Sequence, residues 1–336
     1  MSPKDLKQAR AVLERFDRLR VVVLGDLVLD EYVFGETTRI SREAPVLILK
    51  HERTLSLPGG GANPVSNIAS LGASALPVGV LGLDRAADTL LGIFKDKGVD
   101  SSGVLSRPGR VSPLKIRILA GGHNTARQQV IRVDHEAEDP IDAATETAVL
   151  KALEERLAGA HALIISDYGN GLITPRVLKH INALAKRRPK LVICVDSRYQ
   201  LGDYRGVSVI TPNETEAAPA AGFEDYRAQD LDEIGRKLLQ RTKARMVLVT
   251  RGSRGMSLFR PRRRDDVPVC GPTEPVDVNG AGDSVASCIT LALAAGADPL
   301  MAMRLANAAG GVAVMQRGPA SVTREQILTL LEQTGL

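Results

Sequence analysis

The sequence predicts an α/β fold, in which a mostly parallel sheet is covered by helices on both faces. Short apolar runs rich in β-branched residues recur along the chain, and helix-like patterns separate them. Such continuous apolar strands, bounded by turns, are typical of parallel sheets buried on both sides. The predicted strands are Arg20–Leu24, Leu76–Val80, His161–Ser166, Lys190–Asp196, Ser208–Thr211 and Arg245–Thr250.

The carboxyl ends of these strands are where a ligand is expected. Sheets of this class bind ligands in the crevice beyond the carboxyl ends of their strands. The residues at these strand ends are polar or glycine. They are Gly25-Asp26, Ser166-Asp167, Asp196, Asn213 and Thr250-Arg251-Gly252.

Two segments interrupt the alternation and predict a small additional β layer. Residues 31–50 and 111–134 read as extended or hairpin segments, in which Val46–Lys50 and Val130–Asp134 fit half-buried strands. They are interpreted either as one small lid sheet assembled from separated pieces or as a pair of edge hairpins. The chain shows no long linker, repeat or low-complexity segment, so residues 1–336 are expected to form one domain.

Composition excludes several classes of protein. The 336 residues are 44% hydrophobic and 25% charged, which suffices for a sizeable core and excludes a disordered chain. A net charge of +5 does not by itself indicate a nucleic-acid partner. The low aromatic content, 3% with no Trp, argues against stacking platforms for single-stranded nucleic acid, so no nucleic-acid partner is expected. The three cysteines, Cys194, Cys270 and Cys288, lack zinc-ligand spacing and fit a reducing compartment.

Membrane association is not expected either. The longest apolar stretch, near Val285–Ala297, is too short to span a bilayer, and it contains Ser287 and Thr290. Residues 1–20 lack the apolar core of a signal peptide. We therefore expect a soluble, cytoplasmic protein.

The most informative local motif is a glycine turn near the C-terminus. Residues 277–283 read DVNGAGD and precede a helix-like run, Ser284–Ala295. Backbone N–H groups of the turn and the positive end of the helix together make an anion hole. Asp283 lies where it can accept a proton from an attacking hydroxyl, as phosphoryl transfer requires, although a plain turn with a capping aspartate is the alternative. The turn residues that supply the anion hole are Gly280, Ala281 and Gly282.

Three other loops carry candidate binding residues. Residues 58–63 read PGGGAN, in which glycines allow close backbone approach and Asn63 can bind a hydroxyl, or cap the helix that follows. In residues 211–216, Asn213 and Glu216 can hold a hydrated magnesium ion or form a helix cap with first-turn acids. Residues 250–255, TRGSRG, suit nucleotide phosphates or a hairpin turn.

Taken in chain order, these loops read GG-x-x-N, N-x-x-E, T-R-G-x-x-G and D-x-x-GAGD. This order resembles the ribokinase, or phosphofructokinase-B-type, family of sugar kinases over nearly the whole chain. Within that family the chain is most similar to heptose-7-phosphate kinases, which make lipopolysaccharide precursors. The subgroup matches are Gly25-Asp26 with Asp30 and Tyr32, residues 39–45, Arg127-Gln128-Gln129 with Arg132 and Asp134, residues 166–169 and residues 305–307.

The resemblance implies a ribokinase-like three-layer sandwich with a small β lid at about residues 31–50 and 111–134. It implies ATP-dependent phosphorylation of D-glycero-β-D-manno-heptose 7-phosphate at O1, which gives the 1,7-bisphosphate. A family kinase for another sugar, sugar phosphate or nucleoside is one alternative, and a non-catalytic sugar- or nucleotide-binding regulator is a second. Because lid strands of this family often pair between subunits, a homodimer is expected. No nucleotidyltransferase domain, of the kind fused to many heptose kinases, is expected in this chain.

The resemblance also implies residue roles, with ATP and Mg²⁺ as cofactors. Asp283 is the implied catalytic base, beside the anion hole of Gly280, Ala281 and Gly282. The implied substrate ligands are Asp26, Arg39, Gly59, Gly60, Asn63 and Arg127, where the two arginines suit the substrate's own phosphate. The implied nucleotide ligands are Asn213, Thr250, Gly252, Gly255 and Asn307. Asn213 and Glu216 hold Mg²⁺ through water, and Asp277 and Val278 adjoin a site for a monovalent cation such as K⁺.

The chain departs from the family pattern at several positions. Val278 and Asn279 replace two threonines, and Asn170 stands where the subgroup usually has lysine. Ser197-Arg198 replaces a Pro-Lys pair, so Arg198 can restore one positive charge that Asn170 cannot. Further departures are at Arg42, Val65 and Cys288. These changes leave the kinase chemistry in place and leave the choice of substrate open.

Overall fold

Helices and two sheets make up the described part of the chain. The computed structural model describes residues 2–122, 127–137, 139–224, 230–271, 274–319 and 321–335. The strands are β1 (Arg20–Gly25), β2 (Leu27–Ile40), β3 (Leu47–Gly60), β4 (Ser74–Leu81), β5 (Val104–Ser106), β6 (Leu114–Gly121), β7 (Gln128–His135), β8 (Ala162–Asp167), β9 (Val192–Ser197), β10 (Val209–Ile210), β11 (Met246–Thr250), β12 (Met256–Arg260) and β13 (Arg263–Val267). The helices are α1 (Pro3–Leu13), α2 (Ala62–Ser70), α3 (Arg85–Asp96), α4 (Ala143–Arg156), α5 (Pro175–Arg187), α6 (Glu214–Ala221), α7 (Leu231–Thr242), α8 (Ala281–Ala294), α9 (Pro299–Ala313) and α10 (Arg324–Thr334).

The larger sheet has nine strands in the order β13-β12-β11-β10-β9-β8-β1-β4-β5. All strands from β11 to β5 run parallel, and β12 and β13 add an antiparallel edge. Each of the six apolar runs predicted as strands forms a strand of this sheet. The strands therefore end on a common edge, as the sequence predicts.

Helices cover both faces of this sheet. In β1, Val21 and Val23 pack into a core with α1, α2, α3, α8, α9 and α10, whereas Val22 and Leu24 pack into a second core with α4, α5, α6 and α7. Successive side chains of a strand point to opposite faces, so a strand covered on both sides must be apolar at every position. Full burial of each such side chain contributes about 1.5–3 kcal/mol to stability. The predicted three-layer α/β sandwich is confirmed.

The smaller sheet has the order β3-β2-β6-β7 and stands at one end of the sandwich as a lid. Two antiparallel hairpins, β2/β3 and β6/β7, are joined by parallel pairing of β2 with β6. One lid sheet assembled from separated pieces is therefore what forms, and the hairpins considered as the alternative are its two halves. The prediction of a half-buried strand was wrong for Val130–Asp134, because every residue of β7 is exposed. Strand β7 is also an edge strand of the smaller sheet.

The lid is joined directly to the ligand edge of the larger sheet. Strand β2 begins at Leu27, immediately after Asp26 at the end of β1. Strand β3 ends at Gly60, just before α2. In the described residues, none of the helices combines the length and apolar character needed to cross a bilayer.

Candidate active site

A cleft of about 200 Å³ opens at the carboxyl ends of the central strands. It brings together residues from three of the predicted motifs, which are separated by up to 70 residues in the chain. Those residues are Asn213 and Glu216, Thr250, and Gly280, Gly282 and Asp283. The convergence follows from parallel pairing, which brings the ends of β9, β10 and β11 to one edge.

The glycine turn forms the beginning of helix α8. Gly280 precedes the helix with a φ of 77°, and the helix starts at Ala281, whereas the sequence pattern predicts a start at Ser284. The N–H of Ser284 donates to the carbonyl of Gly280 at 3.1 Å and so closes the first turn. The amides of Gly282 and Asp283 lie within that turn, where an α-helix offers no acceptor four residues back. The predicted anion hole therefore coincides with the N-terminus of α8, where the helix dipole is positive.

Asp283 is a buried carboxylate held by two side chains from distant parts of the chain. Asn63 Nδ2 donates to its Oδ2 at 2.9 Å, and the Tyr168 hydroxyl donates to its Oδ1 at 3.1 Å. Burial raises the pKa of Asp283 to about 7, although both hydrogen bonds act to lower it. A carboxylate with a pKa near neutrality is matched to accept a proton from a hydroxyl at physiological pH.

A second layer of hydrogen bonds orients the Asn63 amide. Asn67 Nδ2 donates to Asn63 Oδ1 at 2.9 Å, so the NH₂ group of Asn63 must face Asp283. Asn67 Oδ1 accepts in turn from the Ser284 hydroxyl at 3.2 Å and from the Val322 N–H at 3.1 Å. The network ties α2 to α8, which fixes Asp283 relative to the loop at residues 58–63.

Asp26 lies at the end of β1, beside this loop. Its Oδ2 accepts from the N–H groups of Tyr168 at 2.9 Å and Asn170 at 3.2 Å. Burial and the negative charge of Asp167 raise the pKa of Asp26 to about 6. The Gly61 N–H donates to the Asp26 carbonyl at 2.8 Å, so β1 and the glycine loop are in direct contact.

The predicted glycines of this loop are sterically required. A Cβ at Gly59 would lie 2.2 Å from Oδ2 of Asp30, and Gly60 has a φ of 47°. Both features exclude a side chain on the loop. Gly59, Gly60, Asn63 and Asp26 are thus brought together near Asp283, as the sequence predicts.

The motif at residues 211–216 forms a helix cap. Asn213 Oδ1 accepts from the Glu216 N–H at 2.9 Å, and Glu216 Oε2 accepts from the Asn213 N–H at 3.0 Å. Both side chains nevertheless line the cleft. Thr250 is linked to the same loop, because its N–H donates to the Pro212 carbonyl at 2.9 Å.

Three predicted nucleotide ligands lie outside this cleft. Gly252 and Gly255 lie in the hairpin between β11 and β12, and a Cβ at Gly255 would lie 2.0 Å from the Val267 carbonyl oxygen. Asn307 on α9 donates to the Pro268 carbonyl at 2.7 Å. Residues 250–255 therefore form a hairpin turn, which was the alternative to a loop for nucleotide phosphates.

The two predicted phosphate-binding arginines lie on the lid. Arg39 is exposed near the end of β2. Arg127 forms an ion pair with Glu52, and its guanidinium lies 6.0 Å from the centre of the Phe34 ring. Neither arginine lines the cleft around Asp283.

The cleft brings together carboxylates whose charge a cation would neutralise. Within the described ranges, no group of three or more His, Cys, Asp or Glu side chains is arranged to hold a metal ion. Asp196 lines the cleft, and burial together with the charges of Asp283 and Glu216 raises its pKa well above its usual range. Added positive charge would relieve this repulsion, so the carboxylates around the cleft fit a bound cation.

The loop before the glycine turn is held by Asp277. Its Oδ1 accepts from the Asn279 N–H at 3.0 Å, and its Oδ2 accepts from the Gly318 N–H at 2.9 Å. Val278 is 65% exposed and lines the edge of the cleft. Asp277 therefore connects the glycine turn to the segment that follows α9.

Several residues that line the cleft have no role in the predicted site, although Asp167 and Asp196 were expected at the ligand edge of the sheet. Three of these residues are Tyr168, Asp196 and Arg198. Each of these three residues follows or ends a strand of the parallel sheet. The only sequence signal for them was the rule that such sheets bind ligands at the carboxyl ends of their strands. The Arg198 guanidinium lies 4.8 Å from the centre of the Tyr168 ring, and it brings positive charge to a group of carboxylates.

Comparison with known proteins agrees with this geometry. The model of the pfkB family carbohydrate kinases matches residues 18–326. A bifunctional protein HldE of Mesorhizobium japonicum is 37% identical over 326 residues, which are 97% of this chain and 64% of that relative. The chain thus spans just under two thirds of the length of this relative.

Solved structures share the fold. Ribokinase of Arabidopsis thaliana, complexed with ribose and ATP, aligns with a TM-score of 0.69 and 20% identity over 94% of this chain and 99% of that one. Phosphofructokinase-2 of Escherichia coli, in complex with potassium, aligns with a TM-score of 0.73 and 19% identity over 95% and 100%. From the family match over most of its length, the chain belongs to the pfkB family of carbohydrate kinases, phosphotransferases that use an alcohol group as acceptor.

Proposed function

We propose that this kinase transfers the γ-phosphoryl group of ATP to O1 of D-glycero-β-D-manno-heptose 7-phosphate. The products are the 1,7-bisphosphate and ADP. The main support for this chemistry is the position of Asp283. Its carboxylate accepts hydrogen bonds from Asn63 and Tyr168 and lies in the first turn of α8. The subgroup motifs and the 37% identity to a bifunctional protein HldE support the heptose substrate.

In the proposed reaction, an oxygen–phosphorus bond forms as the acceptor hydroxyl attacks the γ-phosphorus in line. The bond from that phosphorus to the β–γ bridging oxygen breaks, and ADP leaves. Asp283 takes the hydroxyl proton. The amides of Gly282 and Asp283 donate to the oxygens of the transferred group, where negative charge develops. Gly280 and Ala281 hold the turn that directs these amides.

Magnesium would neutralise phosphate charge and orient the phosphates during transfer. Asn213 and Glu216 would hold it through water, consistent with their position on the cleft. Thr250, Gly252, Gly255 and Asn307 would contact the nucleotide. A monovalent cation such as K⁺ would lie near Asp277 and Val278, as the potassium complex of the E. coli phosphofructokinase-2 suggests by analogy.

On the acceptor side, Asp26, Gly59, Gly60 and Asn63 would bind sugar hydroxyls. Arg39 and Arg127 would meet the substrate's own phosphate, and Arg127 would leave Glu52 to do so. Residues 1–336 would work as one kinase domain, with residues 31–50 and 111–134 in the lid. Closure of the lid would exclude water and suppress ATP hydrolysis.

A panel of acceptors tests the substrate. We expect kcat/KM for heptose 7-phosphate to exceed the values for ribose, fructose 6-phosphate and adenosine by at least about a hundredfold, because a site built for several hydroxyls and a phosphate loses those bonds with other acceptors. Production of ADP is measured with purified protein. Faster turnover of another acceptor would overturn the heptose assignment, and binding without turnover of any acceptor would favour the regulator.

We also propose a homodimer formed through the lid. Ile131 and Val133 of β7 are 52% and 41% exposed, on an edge strand that offers unpaired backbone groups. A second copy would cover this edge by strand pairing. The expected mass in light scattering is twice the chain mass of 35.9 kDa. We expect I131D/V133D to be monomeric and Leu83→Asp, at an exposed position outside the lid sheet, to stay dimeric; a monomeric wild type contradicts the proposal.

A further inference from the structure

A single positively charged side chain lines the cleft around Asp283. Among the described residues that line this cleft, Arg198 is the only lysine or arginine. The cleft residues that carry carboxylates are Asp167, Asp196, Glu216 and Asp283. Transfer of a phosphoryl group adds the negative charge of a triphosphate to these carboxylates. The mechanism above gives Arg198 no role, although the reaction needs positive charge in this cleft.

Hydrogen bonds at the strand ends fix the place of Arg198. The residue directly follows β9, and its N–H donates to the carbonyl of Asp167 at 3.1 Å. The Ser197 hydroxyl donates to Oδ2 of Asp167 at 2.7 Å. Strands β8 and β9 are therefore tied together at the point where Arg198 leaves the sheet.

The ring of Tyr168 supports the guanidinium of Arg198. The ring centre lies 4.8 Å from the guanidinium carbon, within the range of a cation–π contact. The ring itself is held at two points, because the Tyr168 N–H donates to Asp26 Oδ2 at 2.9 Å and its hydroxyl donates to Asp283 Oδ1 at 3.1 Å. One tyrosine thus contacts both the proposed base and the arginine.

The donors of the Arg198 guanidinium are unused. Within the residues that the structure describes, it forms no hydrogen bond and no ion pair, and the residue is exposed. Burial is the main cause that raises the pKa values of Asp196, Glu216 and Asp283, and the charge of Arg198 acts to lower each of them. The guanidinium therefore acts on the whole cleft while its N–H groups stay open to a ligand.

We propose that Arg198 is a catalytic residue, which donates hydrogen bonds to oxygens of the phosphoryl group during its transfer. A guanidinium presents N–H groups in one plane that match two phosphoryl oxygens. It stays protonated throughout, so the bonds that form and break, and the transfer of the hydroxyl proton, are those given above. The inference rests on the phosphotransferase activity of the family and is independent of which sugar accepts the group.

Kinetics of Arg198→Met and Arg198→Lys test the proposal, with whichever acceptor of the panel the wild type phosphorylates. Arg198→Met is expected to lower kcat about a thousandfold, the smaller end of the loss when an arginine is removed from phosphoryl transfer. Arg198→Lys keeps the charge without the planar fork, so a loss of about tenfold is expected. Because the contact strengthens in the transition state, kcat and kcat/KM should fall together, with the Kd of ATP within about threefold of wild type.

A binding measurement gives a readout that does not depend on turnover. ADP with aluminium fluoride and the acceptor mimics the transferred group in the transition state, and such mimics bind more tightly than substrates. Calorimetric titration should show that Arg198→Met loses affinity for this mixture by about the factor lost in kcat, while its affinity for ATP is retained.

The matched control is an arginine on another aromatic ring outside the cleft. The Arg264 guanidinium on β13 lies 5.2 Å from the centre of the Phe259 ring. Arg264→Met should keep the wild-type kcat and the wild-type affinity for the aluminium fluoride mixture. Since Arg198 is exposed, its variants should unfold at the wild-type temperature.

Two results would overturn the proposal. One is an unchanged kcat in Arg198→Met with a raised KM for ATP, which would assign Arg198 to binding of the substrate alone. The other is recovery of the wild-type kcat at about pH 9, which would show that Arg198 acts only by lowering the pKa of Asp283.

Failure of the proposed base is distinguishable from these results. If Asp283→Asn keeps full turnover while Arg198→Met loses it, the role of Asp283 fails and that of Arg198 stands. If wild type rejects heptose 7-phosphate and phosphorylates another sugar of the panel, only the acceptor assignment fails, and the Arg198 variants are measured with that sugar.

Discussion

Replacement of Asp283 by Asn is expected to lower turnover by at least about a hundredfold, the smaller end of the loss when general acid–base help is removed. The amide cannot take the proton of the acceptor hydroxyl, but it keeps the shape of the side chain and the contact with Asn63. Binding of ATP and acceptor should therefore survive. Single-turnover assays and calorimetric titration measure the two effects separately.

The same variant should also change how stability depends on pH. Burial raises the pKa of Asp283 to about 7 from an ordinary value of 3.8, so between these pH values the folded protein holds a proton that the unfolded chain releases. The stability contributed by this group is fully present below pH 3.8 and is lost as pH rises through about 7. Asp283→Asn is therefore expected to gain stability relative to wild type as pH rises from 3.8 to about 7.

Asp142→Asn is the control for the loss of turnover expected in Asp283→Asn. Asp142 caps α4, with its side chain accepting from the Thr145 N–H, far along the chain from the glycine turn. Asparagine caps helices as well as aspartate does, so turnover should stay at the wild-type level. Unchanged turnover in Asp283→Asn itself would remove Asp283 from the mechanism.

Gly280→Ala is the second substitution with a large expected effect. Gly280 has a φ of 77°, and a Cβ there would lie 2.5 Å from Asn63 Nδ2 and 2.9 Å from Pro319 Cα. The methyl group would displace Asn63 from Asp283. We expect turnover to fall about a hundredfold, as small misplacements of catalytic groups do. The free energy of unfolding should fall by about 1–3 kcal/mol from backbone strain and overpacking.

Gly296→Ala separates the effect of backbone strain from the effect of the collision with Asn63. Gly296 has a φ of 82°, and no atom lies within 4 Å of a Cβ built there. This variant carries the same backbone strain without the collision, so it should lose stability and keep full turnover. Equal turnover of Gly280→Ala and Gly296→Ala would show that the contact with Asn63 is unimportant.

The sequence by itself determined the parallel sheet of this protein and the edge of that sheet at which the motifs meet. The apolar runs at β1, β8, β9 and β11 predict buried parallel strands because a strand covered on both faces must be apolar throughout. Parallel strands end on one edge, so the motifs around Asn213, Thr250 and Asp283 were predicted to converge, and they do. The sequence also predicted that the turns at Gly59, Gly60 and Gly280 lie at the site. In the structure, a Cβ at any of these positions would collide with neighbouring atoms, which glycine avoids.

Only the tertiary structure decided which side chains hold the Asp283 carboxylate and how the lid is built. Tyr168 and Asn63 reach Asp283 across sequence separations of 115 and 220 residues, and β2 pairs in parallel with β6. The pairing of Arg127 with Glu52 and of Asp30 with Arg117 likewise joins separate strands. Local periodicity indicates which face of a helix or strand is buried. It does not indicate which residue of a distant segment will contact a polar group on that element.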